Sequence, residues 1–134
     1  MRWLVLLLCG CGGSAGVSSV QMALGTASGL DPSEVKSVEV LVLGGDHATC
    51  DRALLPASPL DDPELMVLRH ALFAVDGSAK HLGGVPAGQH LVFYAEAYKT
   101  PDGQRPYIGR GCAEGELTAG ASEGVSITLT AAAN

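Results

Sequence analysis

Short apolar stretches rich in β-branched residues, each closed by Gly, Pro or Asp, recur from Val38 to Thr130. This punctuation restricts the chain to strands and tight turns. The clearest strand is Val38-Glu39-Val40-Leu41-Val42-Leu43, closed by Gly44-Gly45-Asp46. The last, Val125-Ser126-Ile127-Thr128-Leu129-Thr130, alternates strictly, which puts Val125, Ile127 and Leu129 on one inward face. Between them, Leu91, Phe93, Ala95 and Ala97 alternate with Val92, Tyr94, Glu96 and Tyr98, a strand with one drier face. Thr100-Pro101-Asp102-Gly103 is a turn, because Pro presets φ and Gly tolerates positive φ. A further strand is expected over 106–113, and a loop holding Cys50, Pro56, Pro59 and Pro63 excludes a central strand there. Residues 65–75 carry two signals. Asp62-Pro63-Glu64 starts a helix well, with Leu65, Leu68, Leu72 and Val75 on one helical face. Val67, Arg69, Ala71, Phe73 and Val75 also make one strand face, and the strand is preferred because its neighbours are strands. With 18 glycines and only 4% aromatic residues, the whole reads as one small all-β domain.

Charge narrows the partners. Asp and Glu number 14 against 8 Lys and Arg, and the negative charge is spread along the chain. A nucleic-acid surface needs a basic stripe, so that class is excluded. Attraction to anionic lipid is excluded on the same ground, and any membrane contact must run through an anchor.

The N-terminus supplies a candidate anchor. Arg2 precedes the apolar run Trp3 to Leu8, and Cys9-Gly10-Cys11 follows. That run falls far short of the ~20 residues that span a bilayer, so it reads as a signal peptide. Leu8-Cys9-Gly10-Cys11 resembles the lipobox of bacterial lipoproteins. The resemblance implies cleavage after Gly10 and diacylglyceryl and N-acyl (palmitate-type) modification of Cys11, which then anchors the mature chain. Several acyl chains hold stably where one binds marginally. Gly12 rather than an acidic residue follows Cys11, which resembles the outer-membrane sorting pattern of diderm bacteria. The implied parts are a signal peptide over 1–10, a lipidated cysteine with a flexible tether over 11–33, and the folded domain over 34–134. The tether reading rests on the Gly, Ser, Ala and Val composition of 12–29, which holds no charged side chain.

With Cys9 removed and Cys11 lipidated, Cys50 and Cys112 remain. An even pair in an exported domain is expected to form a disulfide. Val85-Pro86-Ala87-Gly88, the alternating strand, the Pro-Asp-Gly turn and the Val-Ser-Ile-Thr-Leu ending also resemble transthyretin-like and carboxypeptidase-regulatory-like modules over 82–130. That resemblance implies a single immunoglobulin-like antiparallel β-sandwich of about seven strands.

The chemistry-bearing residues form no familiar constellation. There is no Gly-x-Ser-x-Gly elbow and no phosphate loop ending in Gly-Lys-Ser/Thr. No catalytic residue, cofactor or metal is therefore assigned. Tyr94, Tyr98 and Tyr107 with Arg105 and Arg110 are the candidate recognition surface, since Tyr and Arg anchor interfaces. The bland alternative is that the tyrosines cap a sandwich face and the arginines pair with acids. The expected function is a lipid-anchored, non-catalytic binding or scaffolding module of the cell envelope. One alternative is an exported metal- or small-ligand-binding protein with a site near His47 and Asp51. Another is an accessory subunit of an envelope complex whose exposed strand edge adds to a partner's sheet.

Overall fold

A computed structural model describes residues 16–76 and 80–132. Its strands are β1 (Val17–Thr26), β2 (Ser37–Gly44), β3 (Met66–Ala74), β4 (Lys80–Pro86), β5 (His90–Tyr98), β6 (Gly109–Glu116) and β7 (Ser122–Ala131). A short helix, α1 (Cys50–Leu54), and two single 3₁₀ turns at Pro32–Glu34 and Pro59–Asp61 complete the elements among the described residues. The strands make one 7-stranded sheet in the order β3-β2-β5-β6-β7-β1-β4. It doubles over into a sandwich, almost closed as a barrel, so that the end strands β3 and β4 approach one another. Across their gap Arg69 Nε donates to Gly83 O at 2.9 Å.

The fold line lies between β6 and β7, which pair only at Gly109↔Ala131 and Arg110↔Thr130. A Cβ added at Gly111 would stand 2.1 Å from Thr128 O, so the crossing there requires glycine. Between the layers lies the main core, which includes Val20, Met22, Val38, Val40, Val42, Leu82, Leu91, Phe93, Ile127 and Leu129. A second cluster lies outside it. Leu41, Leu43, Val92 and Tyr94 on the outer face of β2 and β5 are covered by Ala48, Ala53 and Leu65. The central strands are thus buried on both faces, which is why Val38 to Leu43 is apolar almost throughout.

The all-β sandwich of seven strands agrees with the sequence reading, and residues 65–75 resolve as strand β3. Three expectations are corrected. Residues 17–26, read as part of a tether, form strand β1 with Val20 and Met22 buried. The domain therefore begins by Val17 and not at residue 34. Val20, Met22 and Leu24 alternate, and β1 hydrogen-bonds on both edges, to β4 and β7. Burial and two ladders offset an ordering cost that a glycine- and serine-rich composition alone suggested could not be met. The sheet is also mixed rather than antiparallel, because β1 and β7 run parallel, from Ser19↔Ser122 to Thr26↔Leu129. Strand β6 begins at Gly109, later than expected, after a cis Arg105–Pro106 peptide. The signal peptide and Cys11 lie outside the described residues.

Candidate functional site: a buried carboxylate under an arginine–tyrosine surface

Period-two alternation sends Tyr94, Glu96 and Tyr98 of β5 to the outer face of the sheet. Segment 45–65 and the 99–108 loop close over them. The Glu96 carboxylate is 2% exposed, a costly burial unless its oxygens are satisfied. Three donors meet it: Tyr94 OH at 2.6 Å, Tyr98 OH at 2.5 Å and Arg105 Nη2 at 3.2 Å. Register adds a second carboxylate, since Glu39 on β2 stands directly opposite Glu96. Like charges opposite one another repel. Tyr98 OH lies 3.2 Å from Glu39 Oε1, between the two acids, and His70 Nε2 meets Glu39 Oε2 on the far side.

Burial pushes the Tyr94 hydroxyl pKa well above its ordinary value, and the Glu96 carboxylate adds to the shift. Tyr98 is raised by burial, then by its hydrogen bond to Glu96, then by Glu39. Both phenols stay protonated donors at neutral pH, so neither is poised as a nucleophile or base.

Tyr94 and Tyr98 are 0% and 2% exposed and cannot touch a partner, which corrects their assignment to a recognition surface. They are core residues with a polar end. Arg110 is committed as well, since Nη1 donates to Pro56 O at 2.8 Å and Nη2 to Leu54 O at 2.6 Å. It ties the end of α1 to β6. Arg105 and Arg110 lie over the Tyr107 ring, 5.5 and 5.6 Å from its centroid, and Tyr107 OH donates to Ala57 O. What remains outward is Arg105, with Tyr107 half-buried beside it. Leu55 and Leu60, 81% and 63% exposed, sit on the loop that Arg110 and Tyr107 hold. The sequence singled out the arginines and Tyr107 but missed Glu96, Glu39 and His70. Tyr-x-Glu-x-Tyr hinted at a shared face, but pairing with Glu39 depends on register.

The cysteines pair as expected. Cys50–Cys112 has an S–S distance of 2.10 Å and joins α1 to β6 across 62 residues of sequence. Around it, Thr49 Oγ1 accepts from Arg52 N, and Glu114 Oε2 accepts from Cys50 N at 2.8 Å. Glu114 Oε1 also meets His90 Nε2 at 2.8 Å. Arg52 grips Asp62 through Nε and Nη2 and reaches Glu64 Oε1 at 3.0 Å, closing segment 50–65 on itself. Near the alternative site, His47 and Asp51 are exposed, and Cys50 is not available as a ligand. Among the described residues no group of three or more His, Cys, Asp and Glu is placed to hold a metal ion.

The bond from Cys50 N, partly opposed by burial, holds the Glu114 carboxyl below its ordinary 4.5, and His90 adds to the lowering. A carboxyl depressed in the folded state contributes stability above its unfolded pKa and loses it as pH falls through the folded one. Backbone exchange of α1 should therefore quicken selectively as pH drops below about 4.5, while Glu114→Gln should flatten that acid limb. Amide hydrogen exchange corrected for intrinsic pH dependence checks this, and an unchanged limb in the variant refutes it.

No protein-family model and no curated protein matches this chain. Among solved structures, a pilus-presented adhesin (Cpa) aligns over 86% of this chain and 27% of its own, with 10% identity and a TM-score of 0.35. The chain thus spans about a quarter of that protein's length, and a likeness this distant carries no functional inference.

Proposed function

We propose that this chain is an exported bacterial lipoprotein, anchored in the cell envelope through Cys11, whose β-sandwich binds or scaffolds and does not catalyse. The carrying observation is Leu8-Cys9-Gly10-Cys11 behind a short apolar leader. The Cys50–Cys112 bridge supports it, because disulfides persist in oxidising compartments and are rare in the cytosol. Gly12 after Cys11 favours the outer membrane in a diderm cell. The likeness of 82–130 to transthyretin-like modules belongs to the same reading. An envelope protein partner would meet the surface of Arg105, Tyr107, Leu55 and Leu60. Such a cation–aromatic–aliphatic patch has the composition of an interface centre, and exposed apolar side chains gain most by being covered.

Replacing Cys11 by Ala is the direct test. The variant should leave the membrane fraction for the soluble exported fraction, and intact-mass analysis of the native protein should show cleavage before Cys11 plus acyl mass. Unchanged detergent-dependent fractionation of the variant, or a native mass with leader and without acyl groups, overturns the reading.

A further inference from the structure

Main-chain groups line both sides of the seam between β3 and β4. Val75 N donates to Lys36 O, so by alternation Val75, Phe73 and Ala71 bond towards β2. His70, Leu72 and Ala74 therefore turn their N–H and C=O groups away from β2 and into the seam. On the far side, Ser19 N donates to Ala121 O and Ala27 N to Leu129 O, which leaves Val20 and Met22 to pair with Leu82 and Lys80. His81 and Gly83 then point into the seam from β4. Among the described residues the seam is bridged at Gly83 O, where Arg69 Nε donates at 2.9 Å, and the two strands share no ladder. A Cβ placed at Gly83 would meet nothing within 4 Å, so there is open space beside that contact.

We infer that this seam accepts an extended acidic segment of a partner protein, which adds to the β3 edge and sets a carboxylate on Arg69. Such a site needs neither the lipid anchor nor the Arg105 surface. Open edges invite pairing, and proteins blunt them with proline, kinks or charge. Strand β4 ends at Pro86 and is kinked by Gly84 at a φ of 69°. Strand β3 runs nine residues without proline, and its Leu72 is 44% exposed. Charge selects the partner. The two strands hold Arg69, His70, Lys80 and His81 and no acid, in a chain with 14 acidic and 8 basic residues. Glu39 meets His70 and Asp76 meets Lys80. Arg69 is exposed, and its hydrogen bond goes to a carbonyl, not to a carboxylate. A second copy of the chain would bring the same cations to the edge. An acidic strand gains main-chain bonds and an ion pair together, as Arg69 swings from Gly83 O to the incoming carboxylate.

The test titrates the isotope-labelled native protein with blocked peptides about seven residues long, in which Val alternates with Glu, Gln or Lys. The Glu peptide should bind about fivefold tighter than the Gln peptide, and the Lys peptide more weakly than either. Amides of His70, Leu72 and Ala74 should gain exchange protection on binding, and N-methylation of alternate peptide residues should abolish it. Arg69→Gln should erase the preference for Glu over Gln while main-chain binding persists. No binding of the Glu peptide at millimolar concentration overturns the site. Binding that leaves those three amides unprotected overturns its location, and equal affinity for the Glu and Lys peptides overturns the acidic partner. Protection of the same amides that rises with protein concentration, without peptide, makes a second copy the occupant and overturns the partner as well.

Discussion

Replacing Cys112 by Ser should lower the melting temperature by about 15 °C. Cys50–Cys112 closes a loop spanning 62 residues of sequence, and on the chain-entropy account a crosslink of that span contributes about 4 kcal/mol by restricting the unfolded chain. A domain of this size shifts by roughly 4 °C per kcal/mol. The bridge also holds α1 over the second core cluster, where Ala53 and Leu65 cover Tyr94 and Val92. Its loss should thus loosen segment 45–65 before the sandwich melts, which exchange protection of Ala53 reports independently. Circular dichroism melts of the variant, and of the native protein with and without reductant, read the global effect. A shift under about 3 °C would refute it.

Replacing Glu96 by Ala should cost about 3–5 kcal/mol, as expected on breaking a buried, hydrogen-bonded charged cluster. The carboxylate accepts from both tyrosines and Arg105, and Tyr94 OH, in a fully buried residue, loses its acceptor. Tyr98 retains Glu39, so the two single changes Tyr94→Phe and Tyr98→Phe should be unequal and smaller, about 1–3 kcal/mol each. Combining Glu96→Leu with both Phe substitutions should recover most of the loss, because the groups that lose a partner, Arg105 and Glu39, both reach solvent and Glu39 keeps His70. Urea unfolding measures all of these, and a Glu96→Ala cost below about 1 kcal/mol refutes the cluster's role. The raised tyrosine pKa values add a pH signature. The protonated phenols favour the folded state, so that contribution is complete below the unfolded pKa of 10.0 and is lost as pH rises above it. Phenolate absorbance from Tyr94 and Tyr98 should appear together with alkaline unfolding and not before it.

The strands with the strongest local signals were legible. Val38 to Leu43 and Val125 to Thr130 report β structure through side-chain type and period two, features that each strand carries by itself. Strand β1 was hidden because its composition resembles a linker, and its three alternating apolar residues gain their value only between β4 and β7. Tyr94 and Tyr98 were misassigned for a related reason. Alternation puts them on the opposite face from Phe93, but only the 45–65 cover makes that face interior. Glu96 carries no local mark separating it from a solvated strand acid.

The amino-acid sequence by itself determined the all-β class, the acidic balance and the disulfide partners, because each follows from composition or from the residue types along the chain. Only the tertiary structure decided the parallel β1–β7 pairing, the buried face of the tyrosines, the opposition of Glu39 and Glu96, and the start of the fold by Val17. Those depend on contacts between distant residues, whose energies exist only after the sheet has doubled over and excluded water.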